Sequence, residues 1–175
     1  MYKLEINSFL DERRNPVKST EAAVCFLKDL YKIYEDWILV IAAYNCGPGN
    51  VNKAIRRSGS KKNYWDIYFH LPKETRGYVP AFIAAMYTFN YHKEHNIFPL
   101  ENELPTMCDT IMISDALHFE QISKLMDISV EQIRDLNPQY RSDIVPAGFG
   151  KSYALRVPYN PYRMSPKVIN SCLKR

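Results

Sequence analysis

The 175-residue sequence has no long apolar run, no C-x-x-C pair and no basic start followed by an apolar stretch. A membrane-spanning helix needs about 20 apolar residues in succession, so no transmembrane segment is predicted. Without a signal-peptide pattern the chain is expected to be cytoplasmic if Met1 is the natural start. Four separated cysteines, of which Cys25 alone falls in an apolar helical pattern and is expected to be buried, argue against a zinc site or a disulfide scaffold.

A strong charge of one sign is also lacking, because the net charge is only +4. The basic pairs at 13–14, 56–57 and 61–62 are scattered and are not interleaved with aromatic residues as in a nucleic-acid groove. The sequence therefore predicts no nucleic-acid partner. His92 and His95 have no third ligand nearby in sequence, so they are expected to be surface residues, and neither a metal nor a cofactor is predicted.

What is present is a mainly α pattern. Hydrophobic residues make up 46% of the chain, enough for a packed core. Apolar periodicity predicts helices over about 20–35, 37–44, 50–57 and 75–92, with a helical turn at 64–68. The helix at 75–92 is expected to be central in the core, because Val79, Phe82, Ile83, Met86 and Phe89 repeat on one face.

The composition changes after residue 98. Strands are predicted at 110–113 and 153–157, on either side of two short helices at 119–126 and 130–137, with Ser129 as a cap. This order predicts a small β-α-α-β unit over 109–158. Residues 99–108 are expected to be a linker, and residues 159–175 a proline-rich tail.

The six residues Tyr44-Asn45-Cys46-Gly47-Pro48-Gly49 carry the clearest functional signal. They place an aromatic hydroxyl and a carboxamide at the end of an apolar helix, before a turn that uses glycine to allow positive φ. This layout suits a polar, uncharged ligand such as a sugar. The motif contains no acid, base or nucleophile.

Two motifs resemble those of the lytic transglycosylases of the goose-lysozyme-like superfamily. Residues 42–51 resemble the family's A-Y-N-x-G-P-G-x-V motif, and residues 72–80 resemble its P-x-E-T-R-x-Y-V motif. Residues 11–16 and 19–23 also resemble the stretch that precedes A-Y-N in membrane-bound members. The resemblance implies that residues 1–98 are the C-terminal part of a lysozyme-like helical domain, and that the substrate is the glycan strand of peptidoglycan.

A second resemblance covers residues 109–158, which are similar to a LysM module, a peptidoglycan-binding unit. Residues 128–138 fit its second half, but residues 116–119 depart from the G-D-T-L-like start of its first helix. Two readings stay open: the module binds carbohydrate, or it is a degenerate module that packs on the main domain.

The family reaction cleaves the bond between N-acetylmuramic acid and N-acetylglucosamine without water and leaves a 1,6-anhydro end. It needs one carboxyl group with a raised pKa, which acts as acid and then as base. In the family this is a glutamate followed by serine, upstream of A-Y-N, with a G-L-x-Q motif between them. Neither motif occurs here. We therefore assign no catalytic residue and expect the acid upstream of Met1.

The remaining motif residues are expected to bind or shape the site. By resemblance, Tyr44, Asn45 and Tyr78 contact substrate, although packing at a helix edge is the alternative for the two tyrosines. Gly47, Pro48 and Gly49 are expected to set the backbone of the turn. Glu74 is expected to favour the start of a helix through the helix dipole rather than to replace the missing acid.

Three hypotheses follow. The first is a lytic transglycosylase whose acid lies outside this sequence, so that the chain alone is inactive. The second is an inactive peptidoglycan-binding protein, and the third is a helical interaction module. The family implies a periplasmic or outer-membrane location. Without the upstream part, apolar faces of the helices at 37–44 and 79–89 are expected to be exposed. The sequence leaves the oligomeric state open.

Overall fold

The computed structural model describes residues 2–100, 105, 107–148 and 150–159. The chain forms two compact units: a helical unit of residues 2 and 21–100, and a second unit that joins residues 3–20 to the described part of 101–175. The helices are α1 (Pro16–Tyr34), α2 (Trp37–Cys46), α3 (Pro48–Arg57), α4 (Tyr64–Ile67), α5 (Lys73–Asn90), α6 (Phe119–Met126) and α7 (Val130–Leu136). The strands are β1 (Cys108–Ile113), β2 (Leu117–His118), β3 (Ile144–Val145) and β4 (Tyr153–Pro158). The predicted mainly α fold with a small appended module is confirmed.

Short polar side chains begin the helices of the helical unit. The Asp36 carboxylate accepts the backbone N–H of Leu39 at 2.9 Å and caps α2. The Asn63 side chain accepts the backbone N–H of Trp65 at 2.9 Å and caps α4. No helix among the described residues is long and apolar enough to cross a bilayer.

The core of the helical unit gathers around α2, a short helix that is apolar on all sides. Val40, Ala42 and Ala43 are fully buried, and Val79 of α5 is buried with them. The core residues are Leu30, Leu39, Val40, Ile41, Ala42, Ala43, Val51, Ala54, Tyr64, Ile67, Leu71 and Val79. The small side chains of α2 let α3 and α5 approach it closely, which fixes the residues at the end of α2 against the start of α5.

The predicted central position of α5 is wrong. Only Thr75 and Val79 of this helix are buried. Phe82, Met86 and Phe89 are 38%, 48% and 80% exposed. This apolar face is only partly covered by described residues, because the buried side chains of α5 lie in its first two turns. The expected exposure over 79–89 is therefore found from Phe82 onward.

Two other burial predictions for the helical unit are wrong. The expected exposed face over 37–44 is absent, because Leu39, Val40, Ile41, Ala42 and Ala43 are all buried and only the ends, Trp37 and Tyr44, are exposed. Cys25 is exposed instead of buried. The reason is that α1 fully buries a single side chain, Leu30, so most of its surface faces away from the core.

The second unit contains the predicted β-α-α-β arrangement, which we call the module (the described part of 107–159). Strand β1 pairs antiparallel with β4, with Ile111 opposite Leu155. The two helices connect these strands, and Ser129 caps α7 as predicted, accepting the N–H of Gln132 at 3.1 Å. A two-residue pairing of β2 with β3, which the sequence did not indicate, closes the other end.

Residues near the start of the chain complete this unit. Leu10 is 4% exposed and belongs to the module core. It forms an isolated antiparallel bridge with Tyr140. The predicted domain boundaries at 98, 108 and 158 stay predictions. The predicted linker includes residues 101–104 and 106, and the predicted tail includes residues 160–175, all of which lie outside the described residues.

Candidate functional site

The turn after Asn45 joins two helices through a single residue, Gly47. Gly47 is both the last cap of α2 and the first cap of α3, with φ +83° and ψ 148°. This combination lies in a region that is essentially restricted to glycine. Pro48 follows at the first position of α3, where a missing N–H costs nothing. Positive φ is found at Gly47 and not at Gly49, which lies within the first turn of α3.

Hydrogen bonds from neighbouring side chains hold this corner. The Tyr34 hydroxyl lies 3.0 Å from the Pro48 carbonyl oxygen and 3.0 Å from Oδ1 of Asn52. The Asn50 amide donates to the Cys46 carbonyl oxygen at 2.8 Å. The turn is therefore fixed from the α1 side and from within α3, and its backbone is a rigid base for the residues that precede it.

Asn45 is held in one orientation by α5. Its Oδ1 accepts a hydrogen bond from the Thr75 hydroxyl at 2.8 Å, and Thr75 is fully buried. No hydrogen bond from Nδ2 of Asn45 is found within the described part of the chain, and the residue is only partly buried. The carboxamide thus has its oxygen occupied and its N–H groups available to a ligand. A carbonyl oxygen, such as that of an N-acetyl group, is the acceptor that this donor fits.

The two candidate tyrosines lie at the surface with their rings partly covered. Tyr44 is 39% exposed, and its ring centroid lies 5.9 Å from that of Phe26. Tyr78 is 37% exposed and follows Thr75 by three residues, so the two project from the same side of α5. Glu74 is exposed in the first turn of α5, the position expected for a helix-start carboxylate.

Several supporting residues were not identified from the sequence. Thr75 lies within the second motif, but the sequence indicated no role for it. Tyr64 is buried, and its hydroxyl donates to the Arg76 carbonyl oxygen at 3.1 Å, which fixes the start of α5. The Arg76 guanidinium carbon lies 5.9 Å from the centre of the Tyr68 ring, and its Nε is buried without a partner. The sequence signal for Thr75 is its position as a polar residue between the glutamate and the arginine of the second motif.

Ionisable groups near the corner show only shifts caused by burial. Burial raises the pKa of the Cys46 thiol, against the opposing effect of the Thr75 hydroxyl, so this thiol is a poor nucleophile at neutral pH. Burial also raises the pKa of Tyr34. Within the described ranges no group of three His, Cys, Asp or Glu residues could hold a metal ion. The corner is suited to binding a neutral polar ligand, not to proton transfer.

Comparison with known proteins agrees with the region of the first motif and with the LysM-like region. Residues 1–67 match the family model described as "Transglycosylase SLT domain". Residues 107–164 match the model described as "Lytic transglycosylase MltD, LysM-like domain". These two parts of the chain are thus similar to two domains of lytic transglycosylases. Tyr44, Asn45 and the Gly47 corner lie inside the first match, whereas Glu74 and Tyr78 lie beyond its end.

Individual relatives agree with these two matches. Membrane-bound lytic murein transglycosylase D of Escherichia coli (strain K12) is 29% identical over 159 residues, which are 88% of this chain and 34% of that protein. The protein of the same name from E. coli O6:H1 (strain CFT073) gives the same values. An Alteromonas sp. (strain M-1) protein named for tributyltin chloride resistance is 38% identical over 108 residues, 61% of this chain and 51% of that protein. The chain thus spans about a third to a half of the length of these relatives.

Proposed function

We propose that this chain is the part of a peptidoglycan lytic transglycosylase that binds the glycan strand beside the scissile bond. The reaction is the non-hydrolytic cleavage of MurNAc–GlcNAc bonds, giving 1,6-anhydromuramoyl ends. One observation carries the proposal: within the matched transglycosylase domain, the Asn45 carboxamide is fixed through its oxygen by Thr75, while its N–H groups are available. Peptidoglycan carries an N-acetyl carbonyl on every sugar, and this is the acceptor that the site lacks.

The chemistry assigns a limited role to these residues. A carboxyl group must protonate the leaving oxygen and then take the proton of the muramic 6-hydroxyl as that oxygen attacks the anomeric carbon. No glutamate in the printed sequence is followed by serine. Asn45 would hold the N-acetyl group and thus the sugar ring, and Tyr44 and Tyr78 would line the cleft. No residue of this sequence is assigned as the acid, and we expect the chain alone to be inactive.

A digestion experiment tests the assignment of roles. Purified sacculi incubated with this chain should release no anhydro-muropeptides, as measured by liquid chromatography and mass spectrometry. The same chain fused behind the Glu-Ser and G-L-x-Q segment of its E. coli relative should release them. Release by the chain alone would refute the missing acid, and failure of a folded fusion would refute the transglycosylase assignment.

Binding can be tested separately. In a sacculus pull-down, Asn45→Ala should reduce the retained fraction severalfold, because the variant loses the donor to the N-acetyl group. Asn90→Ala is the matched control, since Asn90 is exposed on α5 and its side chain bonds only to the Met86 carbonyl oxygen. Equal retention of the two variants would count against Asn45 as a binding residue.

A second candidate function, wall binding without cleavage, is favoured by the match to a LysM-like domain over residues 107–164. Retention on sacculi that persists in Asn45→Ala would support it, and complete loss in that variant would oppose it. Both functions place the protein in the cell envelope, at the periplasm or outer membrane.

A third candidate function, a helical interaction role, draws on the exposed apolar side chains of α5. It would show as self-association or capture of a protein partner instead of wall binding.

A further inference from the structure

Residues 5–12, which we call the docking loop, are held together by hydrogen bonds among themselves. The Asn7 side-chain oxygen accepts the backbone N–H groups of Phe9 and Leu10 at 2.9 and 2.8 Å, and the Asn7 N–H donates to the Leu10 carbonyl oxygen at 2.8 Å. Such bonds are typical of a turn stabilised by asparagine. At the base of the loop, Glu12 N–H donates to the Glu5 carbonyl oxygen at 3.0 Å. All these bonds are local, so the loop is organised by its own sequence.

The module offers this loop an apolar socket and two backbone partners. Leu10 enters the module core and is 4% exposed. The Asp11 N–H donates to the Gln139 carbonyl oxygen at 2.8 Å, and the Arg141 N–H donates to the Phe9 carbonyl oxygen at 2.9 Å. These two bonds flank an isolated antiparallel bridge between Leu10 and Tyr140, which is a single unit of the main-chain pairing by which extended peptides are bound.

Charges at the rim are complementary. An Arg141 guanidinium nitrogen lies 3.4 Å from Oδ2 of Asp11, and the Lys151 ammonium lies 3.6 Å from Oε2 of Glu5. In both pairs the acid belongs to the loop and the base to the module. Rim charges of this kind select a partner and orient it more than they add affinity.

The fit between loop and module is incomplete. A cleft of about 330 Å³ remains between them, lined in part by Glu12, Lys18, Met112, Tyr140 and Tyr153. Among the described residues of the module core, eleven of twelve come from the module's own strands, helices and connections, and Leu10 alone comes from outside. The module therefore closes its core with its own sheet and helices and receives one additional side chain.

From these contacts we infer that the module is a peptide receptor whose occupant in this chain is the docking loop. The recognised chemistry is a turn-forming segment that presents a leucine followed by an aspartate. Leu10 fills the socket, and the Gln139 carbonyl oxygen accepts the backbone N–H of Asp11. The Asp11 carboxylate pairs with Arg13 of its own segment at 2.7 Å and lies 3.4 Å from Arg141 of the module. The loop docks and leaves as a unit while the module stays folded. This inference is independent of the proposed glycan function, since none of its residues belongs to the α2–α3 corner.

Hydrogen exchange on the unmodified full chain is the first test. If the loop docks reversibly, the amides of Asp11 and Arg141 should exchange about tenfold or more faster than the hydrogen-bonded amides of the β1–β4 ladder, because they open without global unfolding. Equal exchange of both sets, with loss in a single event, would overturn the inference by making the loop a fixed part of the core.

Rescue by an added peptide is the second test. In full-length Leu10→Ser the loop should be released, and the Arg141 amide should lose protection. A synthetic peptide of residues 3–15 should restore that protection, and the same peptide with Leu10→Ser should bind about tenfold or more weakly, because the apolar anchor is lost. The matched control is a peptide with Phe9→Ser, which should bind within about threefold of the original because Phe9 is 49% exposed. A folded variant that the peptide does not rescue would overturn the proposal.

If Leu10→Ser fails to fold, a further variant tests reversible docking. Arg141→Gln removes the rim charge but leaves Leu10 in place, and the Arg141 side chain is 46% exposed. Exchange of the Asp11 amide should rise severalfold while the β1–β4 ladder is unchanged. An unaltered Asp11 amide, or an equal rise in the ladder, would contradict reversible docking.

Discussion

Helices α5 and α6 carry similar apolar side chains and bury them to very different extents. In α6, Phe119, Ile122 and Met126 are 1%, 1% and 4% exposed. In α5, Phe82, Met86 and Phe89 follow the same kind of spacing and are 38%, 48% and 80% exposed. In the module, α6 packs on α7 and β2 and shares one core with β1 and β4, whereas no side chain in the second half of α5 is buried among the described residues.

The difference shows what a hydrophobic pattern specifies. Periodicity determines that one face of a helix is apolar, which is a local property of the sequence. Burial of that face requires residues far away in sequence, such as Ile111 and Leu155 in the module. The predictions below use matched substitutions in the two units to test whether this contrast holds in solution.

The largest effect is expected from phenylalanine truncation. Phe119→Ala should lower the free energy of unfolding of the module by about 3–5 kcal/mol, because it leaves a cavity in a closed core. Phe89→Ala should change stability by less than about 0.5 kcal/mol, as expected for an exposed site. Urea titrations followed by circular dichroism and by exchange of amides in each unit measure both. A cost above about 2 kcal/mol for Phe89→Ala would show that α5 is covered in solution.

Asparagine truncation compares the polar contacts of the two units. Asn137 is 1% exposed; its amide donates to the carbonyl oxygens of Ile133 and Arg156, and its oxygen accepts the Arg156 N–H at 2.7 Å. Asn137→Ala should cost about 2–4 kcal/mol, since buried backbone groups lose their partners. Asn45→Ala breaks a single hydrogen bond at a partly exposed residue and should cost about 1 kcal/mol. Thermal and urea denaturation measure both costs. A larger cost for Asn45→Ala than for Asn137→Ala would contradict this prediction.

Glycine substitution tests the corner that positions Asn45. Gly47→Ala should destabilise the helical unit by about 1–3 kcal/mol, because its backbone lies in a region that side chains rarely adopt. Gly49→Ala should be neutral or stabilise by up to about 1 kcal/mol, since it is helical and an added Cβ meets nothing within 4 Å. The module should be unaffected by either change. Equal effects of the two substitutions on the urea midpoint would refute the strained corner.

The smallest effect concerns pH and the docking loop. The hydrogen bond from Arg13, together with the charge of Arg141, holds the pKa of Asp11 well below its ordinary value. Only the part of this lowering that comes from Arg141 depends on docking, because Arg13 lies beside Asp11 in the chain and leaves with it. That part stabilises docking above a pH of about 4 and is lost as the pH falls further. Corrected exchange rates of the Asp11 amide should therefore rise between pH 6 and pH 3, relative to the β1–β4 ladder.

Neighbouring charges must be separated from this effect. Burial acts to raise the pKa of Glu12, but the hydrogen bonds from the Glu5 N–H and the Lys18 ammonium outweigh it and lower that pKa, so protonation of Glu12 is also shifted to lower pH. Asp11→Asn is the control, because it removes one titrating group and leaves Glu12 in place. If the variant keeps the full pH dependence, Asp11 is not its source.

Much of the secondary structure could be predicted from the sequence, because helix periodicity and capping are local. The helices were placed within a few residues of their observed bounds, and Ser129 was identified as a cap. The short β2–β3 pairing could not be predicted, because two residues are too few to show the alternation of a β-strand. Leu10 was missed for a related reason: it lies among polar residues, and only a contact with a segment 130 residues later reveals its burial.

The candidate site was predictable in its outline but not in its supports. The motif located Asn45 and Gly47, because a glycine turn after an apolar helix leaves a local trace. The bond between Asn45 and Thr75 joins residues thirty positions apart, and the Tyr34 contact with Pro48 spans fourteen. Such partners depend on how helices pack, which no window of the sequence contains. The resemblance supplied the residue roles, and packing explains how they are held.

The shared cap at Gly47 also restricts how this protein can change in length. Because α2 ends and α3 begins at one residue, an inserted residue would replace the backbone conformation of Gly47 that sets the direction of α3 relative to α2. The Tyr34 hydroxyl would then lose both Pro48 and Asn52. Side chains around the corner can vary while the number of residues cannot, so insertions among homologues should fall elsewhere, such as in the polar loop at 58–63 before α4.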